Sequence, residues 1–247
     1  MYLSRANWMK VSGWMLAVVL AACASNTDQP TVTRSADGAS TAPAGKEAAK
    51  RDQALIRFIN ADSAASSVDL WFGDSKIITG SGYRESGSYM EVPAEIRRFK
   101  VRAAGSDTSE PLAENGENVM SGRRYTLVFW RDENAKPRLQ AISDDLKPTE
   151  AGKARLRVIH AAPGFKEVDI YETGSQELFG GVDVAEATAF KDVAPFKGMM
   201  QVRRAGKKSP SLLNASVNIE PGKSYTIILV PLTKSESTPI VLIDQLT

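Results

Sequence analysis

The chain has 247 residues, 43% of them hydrophobic, one cysteine, one histidine and a formal net charge of +2. That length holds one or two domains, and the lone cysteine excludes an internal disulfide framework. A single histidine and a single cysteine also exclude a zinc site of the usual kind.

In chain order, the first segment carries only positive charge, at Arg5 and Lys10, followed by the apolar run "VSGWMLAVVLAAC". The run is shorter than the roughly 20 residues that span a bilayer, and small residues close it, which predicts a secretion signal over residues 1–22. Leu20-Ala21-Ala22-Cys23 resembles a bacterial lipobox. The resemblance implies cleavage between Ala22 and Cys23, thioether lipidation of the Cys23 thiol and acylation of its new amino group, so that a palmitate-type chain joins the diacylglycerol. Ala24 rather than Asp after the cysteine implies sorting to the outer membrane. Several acyl chains on one residue anchor far more firmly than one.

Residues 23–52 are rich in Ala, Ser, Thr and Pro and almost free of large apolar side chains. Such a segment cannot bury enough surface to offset its ordering entropy and is expected to be a disordered tether, spanning roughly 30 Å. Removing residues 1–22 takes away Arg5 and Lys10 and no acid, so 31 basic residues become 29 against 29 acidic ones. A mature chain with no net charge lacks the cationic field that non-specific nucleic-acid binding needs.

The rest is a duplication. Ile56-Arg57-Phe58-Ile59-Asn60-Ala61 aligns with Leu156-Arg157-Val158-Ile159-His160-Ala161 at an offset of 100. Val68-Asp69-Leu70-Trp71 with Val168-Asp169-Ile170-Tyr171, and Gly122 to Thr126 with Gly222 to Thr226, keep that offset. Repeats of this length are duplicated domains rather than solenoid units, here 53–147 and 153–247, joined by the short polar stretch "KPTEAGK" from Lys147 to Lys153. Apolar alternation and turn signals predict seven strands in the first, near 55–60, 67–72, 86–92, 99–103, 118–120, 124–130 and 138–142. The second repeats them near 155–160, 167–171, 187–193, 200–204, 215–219, 224–230 and 240–243. The expected fold is all-β: two tandem immunoglobulin-like or transthyretin-like antiparallel β-sandwich domains.

The pattern Arg157-x-Ile159-His160-Ala161-x-Pro163 through Val168-Asp169-Ile170-Tyr171, with Pro221 to Val230, resembles the exported bacterial domains classed only as a domain of unknown function (DUF4397 type), often found in tandem. The first repeat departs from it at Asn60 and at Asp62-Ser63. The closing "GKSYTIILVPLTKSESTPIVLIDQL" is more weakly similar to the periplasmic accessory proteins of alginate O-acetylation, themselves two-domain β proteins.

Four residues read as structural motif. His160 ends an inward-facing strand register beside the Pro163-Gly164 turn, and Asn60 replaces it in the first repeat with similar hydrogen-bonding reach but no acid–base chemistry. That interchange favours a loop clamp over a ligand or base. Asp69 and Asp169, each between apolar strand residues, read as acceptors for loop amides, the alternative being a cation site. Gly73-Asp74-Ser75 matches the nucleophile block of one esterase family but reads as a hairpin turn. A triad would also need a histidine oriented by an acid. No catalytic residue, metal or cofactor is expected.

One surface feature recurs: outward cations on a strand, Arg98, Lys100 and Arg102 in the first repeat, Arg203 in the second, with Arg204, Lys207 and Lys208 following. They read either as protection of a sheet edge or solvated charge, or as a polyanion-binding row. The expected protein is a non-enzymatic outer-membrane lipoprotein, a cell-envelope binding module facing periplasm or surface. Its expected partners are the membrane through its lipid anchor and an acidic polysaccharide or envelope protein. The alternative is an accessory subunit of exopolysaccharide modification or export.

Overall fold

The computed structural model describes residues 52–172, 176–232 and 237–244. Sixteen strands fall eight to each repeat. The first repeat holds β1 (Gln53–Asn60), β2 (Ser67–Phe72), β3 (Ser75–Gly82), β4 (Met90–Pro93), β5 (Phe99–Ala103), β6 (Ala113–Asn115), β7 (Arg124–Arg131) and β8 (Pro137–Ser143). The second holds β9 (Ala154–His160), β10 (Glu167–Glu172), β11 (Glu177–Asp183), β12 (Lys191–Val193), β13 (Phe196–Arg204), β14 (Ser211–Ile219), β15 (Ser224–Pro231) and β16 (Ser237–Asp244).

Each repeat is a sandwich of two four-stranded sheets, ordered β4-β1-β7-β8 over β3-β2-β5-β6, and β12-β9-β15-β16 over β11-β10-β13-β14. The strands are antiparallel except for one pair per repeat: β1 with β7, and β9 with β15, run parallel. Three strands escaped the sequence expectation, β3, β6 and β11, the first and last of which carry glycines in "ITGSG" and "FGGVD". Gly80 in β3 and Gly180 and Gly181 in β11 sit in bulges where β3 slips against β2 and β11 against β10, one of the places glycine occupies in strands. The stretch expected at 118–120 forms only a bridge between Ile96 and Asn118, and β6 lies earlier.

Alternation fills the first sandwich with Ile56, Phe58, Val68, Leu70, Phe99, Val101, Tyr125 and Leu127. The second holds Leu156, Val158, Val168, Ile170, Met200, Val202, Tyr225 and Ile227. The Tyr125 and Tyr225 hydroxyls reach back to accept the Met120 and Glu220 N–H groups, the device that gives immunoglobulin-like domains their tyrosine corner.

A third apolar cluster joins the repeats. Ile59, Ala61, Val128, Trp130 and Ile142 meet Ile159, Ala161, Ile228, Val230 and Ile240. The sheets containing β1 and β9 therefore face each other, and the described strands stack in four layers. The two repeats contribute equivalent positions to it, Ile59 and Ile159, Val128 and Ile228, as in an isologous dimer interface.

Candidate functional site

The histidine is a clamp. His160 is fully buried, its Nε2–H donates to the Phe165 carbonyl at 2.8 Å, and its Nδ1 accepts from Ala162 N–H at 3.3 Å. Burial lowers its pKa to about 4. Asn60 does the same work: Oδ1 accepts from Asp62 N–H at 3.0 Å, and Nδ2 donates to the Ala65 and Ser81 carbonyls at 3.1 Å. With both ring nitrogens engaged, His160 presents no group to solvent.

Asp69 and Asp169 fasten two turns each. Asp69 Oδ1 accepts from Gly80 N–H and Oδ2 from Gly105 N–H, at 2.8 and 3.1 Å. Asp169 holds Gly181 and Gly206 at 2.8 and 2.9 Å. All four glycines have φ between 66° and 76°, a conformation costly for other residues, which explains the recurrence of Val-Arg-x-Ala-Gly after the strand. Burial opposes ionisation of Asp69, but the Gly80 N–H and the Lys76 ammonium hold its carboxyl below the usual range. Gly73 and Asp74 form the two-residue hairpin between Phe72 and Ser75.

The seven cations do not form one site. Arg98, Lys100 and Arg102 lie on or beside β5, and Arg203, Arg204, Lys207 and Lys208 on β13 and the turn after it. Those strands belong to the two outermost layers, with both inner sheets between them. Edge protection is also ruled out for these rows, because β5 lies between β2 and β6, and β13 between β10 and β14. On the first outer face, Trp71 stands next to Lys100 in register, with the Lys76 ammonium 5.3 Å and the Arg102 guanidinium 5.8 Å from the ring centroid. Lys76 pairs with Asp69 at 3.0 Å and with Asp107, Lys100 with Asp74 at 3.7 Å, and Arg98 with Glu114 at 3.4 Å. On the second, Arg203 stacks on Tyr171 at 4.5 Å and donates to Gln201 Oε1 at 2.6 Å, while Arg204 covers Phe165.

Sequence reasoning missed the group between the repeats. Arg57 Nε donates to Thr126 and Arg157 Nε to Thr226, at 2.8 and 2.9 Å, and each guanidinium reaches the other repeat's threonine at 3.4 Å. Arg157 is also paired with Asp144, whose other oxygen accepts from Thr126 and Tyr89 hydroxyls at 2.7 and 2.6 Å. The Tyr89 ring covers Arg57 at 4.8 Å and Phe190 covers Arg157 at 4.6 Å. The repeated Arg-Phe/Val-Ile and Tyr-Thr positions were the available signal. At the far end of the interface lies a cleft of about 460 Å³, lined by Asp62, Arg131, Asp132, Glu133, Pro163 and Pro231. Two of its carboxylates are held by their neighbours: Asp62 by Arg131 at 2.9 Å, and Asp132 by Lys136 and Asn134 N–H groups and Arg138, which lower its pKa.

Ala22 and Cys23 lie outside the described residues. Among the described residues no group of three or more His, Cys, Asp or Glu is placed to hold a metal ion.

Two sandwiches built on one repeated pattern define a tandem β-domain protein. The family described as "Domain of unknown function (DUF4397)" matches residues 54–171 and again 157–247, and the chain belongs to it. No curated protein matches. Among solved structures, the C-terminal domain of AlgF from P. aeruginosa is similar at 14% identity over 38% of this chain and 99% of its own, with a TM-score of 0.28. The Bacillus anthracis TIE protein is similar at 9% identity over 76% of this chain and 34% of its own, with a TM-score of 0.24. A streptococcal virulence factor solved for alpha-glucan binding is similar at 11% identity over 70% and 91%, with a TM-score of 0.25. Scores this low carry no functional weight.

Proposed function

We propose that the protein is a non-enzymatic outer-membrane lipoprotein whose paired β-sandwiches form an envelope module that binds acidic glycan. The observation that carries this reading is the outer face of β5. Lys100 and Arg102 lie on an internal strand and guard no open edge, and with Lys76 they are grouped around a partly buried tryptophan, Arg98 standing just before the strand. Cations on a flat sheet suit a polymer of carboxylate-bearing sugars, and an aromatic ring suits the apolar face of a sugar. The sole histidine is committed to a loop clamp, which supports a binding role over an acid–base one. In this reading the lipid on Cys23 anchors the body and residues 23–52 tether it.

The test uses the mature chain with Cys23→Ser, applied to immobilised alginate. Retention is expected at low salt and should weaken as salt screens exposed charges beyond about 10 Å at 0.1 M. Replacing Arg98, Lys100 and Arg102 together by Gln, which removes the charges without setting new carboxylates against Glu114, Asp74 and Asp69, should abolish most retention, with a thermal melt checking that the variant is folded. Metabolic labelling of the wild-type chain with a fatty-acid analogue should mark Cys23. A wild-type chain not retained on acidic glycan would end the glycan reading, and one that takes up no label would end the lipoprotein reading.

A further inference from the structure

Five buried side-chain polar atoms among the described residues have no hydrogen-bond partner, and two of them are neighbours: Trp71 Nε1 and Arg102 Nε. Both belong to the outer face of the first repeat, where the guanidinium of Arg102 lies over the indole. The other cations of this face are each matched with a carboxylate, Lys76 with Asp69, Lys100 with Asp74 and Arg98 with Glu114. Asp69, opposite Arg102 in register, is committed to Gly80, Gly105 and Lys76. Two adjacent N–H donors without acceptors, one of them on a cation, are an incomplete site.

The second repeat supplies the comparison. Tyr171 stands where Trp71 does, and its hydroxyl donates to Glu177 at 3.1 Å. Arg203 lies over that ring as Arg102 lies over Trp71, and its Nη2–H donates to Gln201 Oε1, an acceptor at the place where the first repeat has Lys100. The same arrangement is thus closed by its own side chains in one repeat and open in the other.

We propose that Trp71 and Arg102 form a uronate subsite, in which Trp71 Nε1–H and Arg102 Nε–H donate to oxygens of a sugar carboxylate and the indole receives the C–H face of the ring. The half-exposed Arg102 side chain is the cover: it lifts from the indole to admit the ligand and re-forms its contacts on the carboxylate. The second repeat contributes no such subsite. This inference rests on the glycan reading above and narrows it to one face and one functional group.

The experiment is calorimetric titration of the mature Cys23→Ser chain with an alginate oligosaccharide and with a neutral α-glucan oligomer, alongside tryptophan fluorescence. Beyond residue 22 the chain's tryptophans are Trp71 and Trp130, and Trp130 is buried between the repeats, so a fluorescence change on binding reports on Trp71. Binding of the uronate and not the glucan is expected. Trp71→Phe, which keeps a ring and removes the N–H, and Arg102→Lys, which keeps the charge and removes the directed donor, should each weaken binding about tenfold. Tyr171→Phe and Arg203→Lys should leave affinity unchanged. If wild type binds alginate while Trp71→Phe and Arg102→Lys bind equally well, the subsite is overturned and the broader glycan reading stands. If wild type binds no acidic glycan, both fall. Equal binding of the neutral glucan would overturn carboxylate recognition.

Discussion

Asn60 and His160 occupy the same place in the two repeats and make the same bonds, one acceptor for the amide two residues on and one donor to the carbonyl five residues on. Only a neutral imidazole serves, because the ring must accept as well as donate. The lowered pKa, about 4 against 6.5 in an unfolded chain, fixes the sign of the pH dependence. Between those values the unfolded state binds more protons, so the stability contributed by neutral His160 is complete above about pH 6.5 and lost as pH falls toward 4. The full amount is about 3 kcal/mol. His160→Asn should flatten this part of the stability profile relative to wild type, measured by urea denaturation at a series of pH values. Parallel profiles for the two proteins would show that the ring is not the titrating group.

At the scale of elements, β7 and β15 explain why alternation was an incomplete guide. Arg124–Arg131 and Ser224–Pro231 are buried on nearly every residue, since one side faces a sandwich core and the other faces the second repeat. Strands covered on both sides read as continuous apolar runs, and "YTLVFW" and "YTIILV" are such runs. A period-2 reading assigns their alternate residues to solvent. It also sends Arg57 and Arg157 outward, when both are buried between the repeats. Two buried guanidinium groups need acceptors, and Thr126, Thr226 and Asp144 provide them. Removing one partner of a buried ion pair costs about 3–5 kcal/mol, whereas replacing both by apolar groups of similar volume is often neutral. Asp144→Ala should therefore lower unfolding stability by about 3 kcal/mol, and the double change Asp144→Leu with Arg157→Met should recover most of it. Denaturant melts of the three proteins decide the point, and a single mutant as stable as wild type would refute the pairing.

At the scale of the molecule, the repeats bury an apolar face on each other that neither could leave in water at no cost. Large exposed apolar patches drive association, and this one is built from equivalent residues of both repeats. Residues 53–147 and 153–247 expressed separately should therefore associate when mixed, and each should melt below the joined chain. Analytical ultracentrifugation and thermal melts measure both. Monomeric halves with the stability of the parent would show that the interface contributes little. The four-layer stack also sets what the surface can offer a polymer: the two basic rows point away from opposite ends, so a glycan chain lying on one is out of reach of the other.

The duplication and the all-β class were legible in the sequence because each rests on local pattern: a constant offset, alternation within strands, and turn residues between them. The role of Val-Asp-Ile/Leu followed as well, since an aspartate between apolar strand residues can bond only what lies beside its own strand. The parallel pairing of the first strand with the Tyr-Thr strand was not legible, because register across some 70 residues is set by contacts distant in sequence. Nor was the second buried face of those strands. A residue directed out of one sandwich is directed into another only if a partner covers it, and covering is a property of packed sheets. The same reason separated the basic residues into two faces and removed edge protection as an explanation: whether β5 is an edge is decided by which strands flank it, and that is fixed by the tertiary structure alone.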